Sequence, residues 1–299
     1  MSTIRTGDLA QFNRTMGNMQ EVQSRLRAGN LQVSTGKAAH SYAELGAVSG
    51  TLIRTETALQ RADMFAEQNG RLANQLNLMD GALADIVDVA QEFRQLLVAR
   101  RNDATGDAVK LDVEAEGLID RVAARLNLQV DGRYVFAGSR TDSAPVDAAL
   151  ITDDPADEDF YQGDRIPLRA RIDADTEATY GVLAVDEAFR DLLAGLKTAI
   201  EGHVNDDDAT LQEAAELAGR AVDGVIAERS GLATVTARIE SVRASQEGTA
   251  LYLEDTVSGI IDTDVPATMA RIAQDQVSLE ASYSIMSRLS RLTLTDYLR

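Results

Sequence analysis

Apolar residues recur at helical spacing near both ends of the chain. The N-terminal set runs through Leu9, Phe12, Met16, Met19, Leu26 and Val33. The C-terminal set runs through Met269, Ile272, Leu279, Tyr283, Met286, Leu289 and Leu292. Spacings of three and four residues place such side chains on one side of a helix. Both ends are therefore predicted to be amphipathic helices that pack against partner helices, the first ending at Gly36 and the last beginning near Pro266.

Two longer stretches keep the same spacing without a strong helix breaker. The first extends from about Val48 to Arg100, and the second follows the polar break at Asn205–Asp208. A helix of about fifty residues spans about 75 Å, which is too long for a globular domain, so these stretches predict a coiled coil or an elongated bundle. Shorter helices are predicted from Val109 to about Val130 and from about Val185 onward.

Residues 132–183 differ from the rest because Gly and Pro are frequent among them and short β-prone segments, such as Tyr134–Phe136 and Arg169–Ile172, lie between. This segment is predicted to be a small loop-rich β domain. The flanking halves are nearly symmetric, so the two ends of the chain are expected to pair in space. The predicted fold is mainly α with a small β-containing insertion, an elongated antiparallel coiled-coil bundle formed by the N- and C-terminal halves. The predicted division is into terminal helices (1–37 and 265–299), a coiled-coil rod (38–131 and 184–264) and an outer domain (132–183).

Charge is distributed unevenly along the chain. The formal net charge is −19, while residues 1–37 carry +3 and residues 265–299 carry +1, which leaves −23 for the residues between them. An acidic surface argues against binding to nucleic acid or to an anionic membrane. The chain contains no Cys, so neither a disulfide nor a thiolate metal site is possible. No apolar run approaches the roughly 20 residues that cross a bilayer, and no cleavable secretory signal is recognised, so no membrane insertion is expected.

Candidate catalytic and ligand-binding motifs fail on inspection. Only two His residues are present, which disfavours a His-based triad or a zinc cluster. Ser34–Ala38 lacks the first Gly and the final Ser or Thr of a phosphate loop. Asn205–Asp208 lacks the ligand pattern of a calcium loop and is interpreted as a solvated helix cap, and the acidic residues of 153–159 are interpreted as a solvated loop. The sequence therefore predicts no enzyme, with no catalytic, cofactor or metal site.

Four segments resemble a known family. The segment 132–142 is similar to the signature GRY-F-G-x-x-T-D of the flagellar hook-associated protein 3 family, through Gly132, Arg133, Tyr134, Phe136, Gly138, Thr141 and Asp142. The turn Y-x-G-D of the same family is matched by Tyr161, Gly163 and Asp164, and its ending by Asp296, Tyr297 and Leu298. Leu31–Lys37 resembles the segment that ends the first helix in flagellins. The matches follow the family order along the whole chain, so it resembles this branch of the flagellin superfamily.

The resemblance implies a structural subunit of the bacterial flagellum that joins hook to filament. Such proteins leave the cell unfolded through the flagellar type III apparatus, without a cleaved signal peptide, and an export chaperone is expected. Their paired terminal helices line an extracellular axial tube. The implied partners are other copies of the chain, the other hook-associated junction protein and flagellin.

The assembly interface is expected to consist of the terminal apolar residues: Leu9, Phe12, Met16, Met19, Leu26, Met269, Ile272, Leu279, Tyr283, Met286, Leu289 and Leu292. Two alternatives to a junction protein remain open at this stage. One is a flagellin of the filament itself. The other, from a different class, is a secreted coiled-coil adhesin or sensor.

Overall fold

Six α-helices dominate the computed structural model, which describes the backbone of residues 2–101 and 110–297 and the side chains of residues 10–101 and 110–288. They are α1 (Ser2–Thr35), α2 (Ser49–Arg101), α3 (Leu111–Leu126), α4 (Glu187–Val204), α5 (Asp208–Ile261) and α6 (Val265–Tyr297). Four short strands lie between α3 and α4: β1 (Gln129–Val130), β2 (Arg133–Tyr134), β3 (Leu168–Asp173) and β4 (Thr176–Tyr180). The predicted mainly α fold with a small β insertion is confirmed.

The helix ends follow from local chemistry. Gly36 has a φ of 71°, a left-handed conformation that suits Gly, and it ends α1 as predicted. Asp207 precedes α5, and its carboxylate accepts hydrogen bonds from the amide of Ala209 at 3.0 Å and the hydroxyl of Thr210 at 2.7 Å. Asp264 caps α6 in the same way, accepting from the amide of Ala267 at 2.9 Å. These side chains satisfy amide groups that the first turn of a helix leaves without partners.

The prediction that the third helix continues to about Val130 is wrong, because α3 ends at Leu126. The side chain of Asn127 pairs with the backbone of Val146, donating to its carbonyl oxygen at 2.8 Å and accepting from its amide at 2.9 Å. Because this pairing holds Asn127 against Val146, the chain leaves the helical path after Leu126. β1 and β2 then form a hairpin whose two-residue turn, Asp131-Gly132, has positive φ values of 52° and 75°.

The chain divides into two compact units. The second unit, residues 62–248, contains most of α2 and α5 together with α3, α4 and all four strands. Its helices bury a continuous apolar stripe that includes Leu76, Met79, Leu83 and Ile86 on α2. α2 and α5 run antiparallel, since Asp80 of α2 bonds to Arg229 of α5 and Asn69 bonds to Gln246.

The β insertion shares the core of the second unit. Phe136, Phe160 and Ile172 are buried in the same apolar cluster as the helical side chains. β3 pairs with β4 in an antiparallel hairpin, with Ala170 opposite Ala178 and an irregularity between Arg171 and Asp173. The apolar side chains of the insertion are therefore buried by packing against the helices.

The first unit, residues 1–61 and 249–299, contains α1 and α6 with the start of α2 and the end of α5. The unit boundaries thus fall inside the long helices, whereas the predicted division placed them at the helix ends, and that three-part division stays a prediction. Among the described residues no helix is long and apolar enough to cross a membrane.

Candidate assembly interface

α1 and α6 pack against each other as antiparallel helices, which confirms the expected pairing of the two ends. Met19 and Val22 of α1 are each 7% exposed, and Thr268 of α6 is 2% exposed. At Gly29 a Cβ atom would lie 2.9 Å from Cγ1 of Ile272, so the small residue lets the two helices approach closely. The two helices therefore form a packed pair along at least the described part of their length.

Polar contacts set the alignment of this pair. The guanidinium of Arg25 donates to both carboxylate oxygens of Asp275, at 3.0 and 3.3 Å. These hydrogen bonds raise the pKa of Arg25 above its usual value. Gln23 Nε2 donates to the hydroxyl of Tyr283 at 2.9 Å. A bidentate contact of this kind adds geometric specificity, so it favours one alignment of α1 against α6.

The turn that follows α1 and the turn that precedes α6 are hydrogen-bonded to each other. The amide of Ala38 donates to the carbonyl of Ile261 at 2.7 Å, and the amide of Thr263 donates to the carbonyl of Gly36 at 2.8 Å. Lys37 and Asp262 form an isolated antiparallel bridge between these two bonds. The backbone itself thus ties the end of α1 to the start of α6.

The predicted interface residues fall into three groups. Met19 is buried, and four others are half-buried: Leu26, Ile272, Leu279 and Met286. A second group is exposed, although Tyr283 contacts Gln23 of α1: Phe12, Met16, Met269 and Tyr283. The side chains of Leu9, Leu289 and Leu292 lie outside the described residues. The buried contacts that sequence reasoning missed are Val22, Gly29 and Thr268, and the regular spacing of Val22 between Met19 and Leu26 was an available signal.

α6 carries a second apolar side that sequence reasoning also missed. Its apolar members are exposed and mostly small: Ala270, Ala273, Val277, Ala281 and Ile285. The polar Gln274, Ser284 and Arg288 share the same side. At 100° per residue they lie opposite Thr268, Ile272 and Leu279, which face α1. Val277 is 61% exposed and Ile285 is 51% exposed. A helix that is apolar on two opposite sides is suited to packing against two partners.

A second candidate feature is the segment that resembles the family signature, which the structure brings together across 26 residues of sequence. The amide of Asp164 donates to the carbonyl of Ala137 at 3.0 Å, and the hydroxyl of Tyr161 donates to the carbonyl of Asp164 at 2.6 Å. The carboxylate of Asp164 accepts from the amide of Ser139 at 2.8 Å and from its hydroxyl at 2.5 Å. These contacts, with Gly138 and Gly163, form what we call the signature joint.

The two glycines of the signature joint are required by its geometry. Gly138 has a φ of 69°, and a Cβ atom there would overlap the carbonyl oxygen of Asp164. A Cβ atom at Gly163 would overlap the carbonyl oxygen of Ala137 and the hydroxyl of Tyr161. Only glycine permits two backbone segments to approach this closely.

Ionisation in the signature joint follows from its hydrogen bonds. The hydroxyl and the amide of Ser139 hold the pKa of Asp164 below its usual value, so the carboxylate is charged at neutral pH. Burial, together with the carboxylates of Asp164 and Asp186, raises the pKa of Tyr161 to about 12. Tyr161 therefore remains a protonated donor, and the joint is a fixed structural element.

The remaining signature residues lie in and around the β1–β2 hairpin. The amide of Tyr134 donates to the carbonyl of Thr141 at 3.0 Å, and Phe136 is fully buried. Gly132 occupies the left-handed turn position, whereas Arg133 and Asp142 are exposed. Of the C-terminal signature, Leu298 and the side chains of Asp296 and Tyr297 lie outside the described residues.

No metal centre is assembled by the part of the chain that the structure describes, since no group of three His, Asp or Glu side chains is placed to hold an ion. The acidic loop residues instead bond locally: Asp154 accepts from the amide of Ala156 at 2.8 Å, and Asp157 accepts from the amide of Asp159 at 2.9 Å. Glu158 forms an ion pair with Arg165. The acidic segment thus acts as a set of turns.

Comparison with known families gives two matches. The model of the bacterial flagellin N-terminal helical region matches residues 8–141, and that of the bacterial flagellin C-terminal helical region matches residues 215–298. Together they cover well over half of the chain, including most of α1 and all of α6.

Two curated relatives carry the name flagellar hook-associated protein 3. The protein of Escherichia coli (strain K12) is 23% identical over 291 residues, which cover 88% of this chain and 90% of the relative. The protein of Salmonella typhimurium (strain LT2) is 18% identical over 320 residues, which cover 97% of this chain and 98% of the relative.

Solved structures share the fold. The crystal structure of Bacillus cereus FlgL superposes with a TM-score of 0.51 at 18% identity, covering 64% of this chain and 98% of that one. A putative flagellar hook-associated protein from Vibrio parahaemolyticus also gives a TM-score of 0.51, at 11% identity, covering 72% and 97% of the two chains.

Proposed function

Because the chain belongs to the flagellin family, we propose that it is a subunit of the axial structure of the bacterial flagellum and joins hook to filament. Its work is mechanical, and it assembles with other copies of itself through paired terminal helices. The terminal helices form the tube-lining part of the assembly, and the acidic middle of the chain faces the solvent outside the cell. The proposed partners are the other hook-associated junction protein and flagellin.

The observation that carries the proposal is the two-sided apolar surface of α6. One side is covered by α1, while the side that includes Val277 and Ile285 is exposed among the described residues. Burying a Val or Ile side chain contributes about 1.5–3 kcal/mol of gross stabilisation, and burying the alanines beside them adds to it, so cover of this side favours association. Phe12 and Met16 of α1 are also exposed, at 38% each. A neighbouring subunit would cover both.

The junction position is supported by the named relatives. Both curated relatives are called flagellar hook-associated protein 3 and match nearly the whole chain at low identity. Export through the flagellar type III apparatus without a cleaved signal peptide, with the help of a chaperone, belongs to the same proposal.

A filament flagellin is the second candidate, favoured by the descriptions of the two matching family models. The two candidates differ in where and how often the subunit occurs. Filament subunits are distributed along the whole filament, whereas junction subunits form one narrow band.

Electron microscopy of sheared flagella tests the choice, using an antibody raised against residues 145–180. This segment contains exposed side chains, including Leu150 and Ile166, that an antibody can reach. Label confined to a band where hook meets filament is the expected result. Label along the whole filament would replace the junction proposal with the flagellin candidate, and absence of label from intact flagella would overturn both.

A further inference from the structure

Three amide groups meet in the core of the second unit. Asn69 of α2 donates through Nδ2 to the carbonyl oxygen of Ile172 on β3 at 2.8 Å and to Oε1 of Gln246 on α5 at 2.9 Å. Gln246 donates through Nε2 to the same carbonyl oxygen of Ile172 at 2.8 Å. We call these three residues the amide cluster. It connects two long helices and the β3–β4 hairpin at one point.

The amide cluster is enclosed by apolar side chains. Asn69 and Ile172 are fully buried, and Gln246 is 8% exposed. Phe65 and Leu72 lie one turn away from Asn69 on α2, and both are buried. The carbonyl oxygen Oδ1 of Asn69 is buried and accepts no hydrogen bond from the described residues. A buried group without a partner weakens the folded state, so the cluster is not arranged for maximum stability.

Apolar packing alone does not define the alignment of α2 against α5. The buried stripe of α5 is built largely from small residues, among them Ala214, Ala218, Ala221 and Val225. If α5 slid by one helical turn, apolar side chains would still meet apolar side chains. The same slide would separate the amides of Asn69 and Gln246 and would remove at least one of the two donors from the carbonyl of Ile172.

No other buried polar side chain in the described parts of α2 and α5 bonds to a different element. Thr236 of α5 is buried, but its hydroxyl donates to the carbonyl of Leu232 in its own helix at 2.9 Å. The bidentate ion pair between Asp80 and Arg229 also crosses from α2 to α5, at 2.9 and 3.0 Å. Its side chains are 39% and 35% exposed, so solvent screens this pair.

We infer that Asn69 and Gln246 are positioning residues that hold α2, α5 and the β3–β4 hairpin in one axial register. A single buried polar pair can specify helix register at some cost in stability, because every alternative alignment leaves its polar groups without partners. The β3–β4 hairpin is held in the same register because the side-chain amides of Asn69 and Gln246 both donate to the carbonyl oxygen of Ile172. Gln68 adds a longer contact to the neighbouring carbonyl of Arg171, at 3.4 Å. This inference does not depend on the proposed function.

Pulsed electron spin resonance on the full chain tests the inference. The chain contains no Cys, so Gln95→Cys on α2 and Ala237→Cys on α5 give two unique, exposed labelling sites. Ala237 shares a surface groove with Asn77 and Asp80 of α2, so Gln95 lies more than ten residues further along the axis. A slide of one turn changes their separation by about 5 Å.

The doubly labelled parent is expected to show one narrow distance peak. The Asn69→Leu/Gln246→Leu variant is expected to remain helical and to show a second peak displaced by about 5 Å. Hydrogen exchange at residues 168–180 should rise in the same variant, because Ile172 loses both donors. Asp80→Leu is the matched control, since it removes the exposed cross-helix ion pair with Arg229, and it should keep the single parent peak.

A single peak at the parent distance in the double Leu variant would overturn the inference. A second peak in Asp80→Leu would overturn it as well, because the register would then rest on the ion pair. Complete loss of helical structure in the double variant would assign the amide cluster a role in stability and contradict the positioning role. Gln246→Leu alone, which leaves Asn69 bonded to Ile172, provides the intermediate case and should show a smaller second peak.

Discussion

Single residues decide how closely the backbone segments of the second unit approach each other. Gly138 and Gly163 permit the contact between residues 137–139 and 163–164, and Asp164 joins the two segments through Ser139. The resemblance to family motifs identified these residues, but not their contact. Residues 138 and 164 are distant in sequence, and no local pattern shows that they meet.

Replacing Gly138 tests the backbone requirement. Gly138→Ala should lower the free energy of unfolding by about 2 kcal/mol or more, because a left-handed conformation costs a residue with a Cβ about 1–2 kcal/mol and the new atom also meets Asp164. Urea unfolding of the full chain measures this change.

Gly117→Ala is the matched control for Gly138→Ala. Gly117 lies on α3 with open space around its Cβ position, so this substitution should stabilise by about 0.5–1 kcal/mol. Equal effects of the two substitutions would contradict the proposed role of Gly138.

Asn69 illustrates a residue whose role could not be predicted from sequence. It interrupts the apolar stripe of α2, and a polar residue in such a stripe is compatible with solvent exposure. Its partners Gln246 and Ile172 come from distant parts of the chain, so only the fold shows that the position is buried.

The stability of the folded chain is expected to depend on pH through the ionisation of a single residue, Glu228 of α5. Burial and the neighbouring Asp186 raise the pKa of Glu228, and burial also raises the pKa of Asp186. A carboxyl group whose pKa is higher in the folded state favours folding when protonated. The stabilisation of the fold by protonated Glu228 is therefore fully present below the pKa of Glu228 in the unfolded chain, near 4.5. It is lost as the pH rises through the pKa of Glu228 in the folded chain.

Glu228→Gln should consequently raise the midpoint temperature of thermal unfolding at pH 7. Above pH 4.5 this midpoint should fall less with rising pH in the variant than in the parent. Glu213→Gln, an exposed position on the same helix, removes the same charge and serves as the control. Thermal unfolding followed by circular dichroism from pH 4 to pH 8 gives both curves. Identical curves for the two variants would show that net charge, and not the burial of Glu228, governs the effect.

At the scale of elements, the helices were predictable because their apolar periodicity is strong and long. The predicted bounds of α2, α5 and α6 agree with the structure to within a few residues. The β insertion was predicted only in part: β2 and β3 were indicated, whereas β1 and β4 were not. β1 has only two residues and therefore carries too little periodicity to be recognised, although Asp131-Gly132 was an available hairpin signal.

The second apolar side of α6 is the element-level feature that matters most for the proposed function. It escaped prediction because alanines contribute little to a hydrophobic pattern, and Val277 falls outside the stripe that packs on α1. Helix packing through small residues allows close approach, so this side is suited to a partner helix. If this side is the proposed assembly surface, a charge placed on it should prevent assembly.

Val277→Glu places a charge on the uncovered side of α6. The monomer should keep its unfolding free energy to within about 0.5 kcal/mol, because the site is exposed. Incorporation into flagella should be lost, because the charge would be buried in the assembly. Microscopy and a motility assay of a strain carrying only the variant measure incorporation.

Gln20→Glu is the control for Val277→Glu, since it adds the same charge to an exposed polar position of α1. It should support incorporation. Normal motility with Val277→Glu would rule out this side of α6 as an assembly surface.

At the scale of the whole chain, net charge is confined to one unit. Residues 1–61 and 249–299 contain eleven basic and eleven acidic side chains, so the first unit is neutral. The remaining eighteen basic and thirty-seven acidic side chains give the second unit the entire net charge of −19. The neutral unit carries the uncovered apolar surface, and the acidic unit carries the β insertion. Sequence predicted this contrast, although the neutral part extends further into the long helices than expected.

This distribution predicts how salt affects self-association. Copies of the chain repel each other through their acidic units, and the range of this repulsion falls from about 30 Å at 0.01 M salt to about 8 Å at 0.15 M. Apolar contacts between neutral units are not weakened by such salt concentrations. Association at a fixed protein concentration should therefore increase between 0.01 and 0.3 M sodium chloride, as measured by sedimentation velocity. Val277→Glu should associate less than the parent at every salt concentration. A decrease of association with salt would indicate that ion pairs between copies, and not apolar helix packing, hold the assembly together.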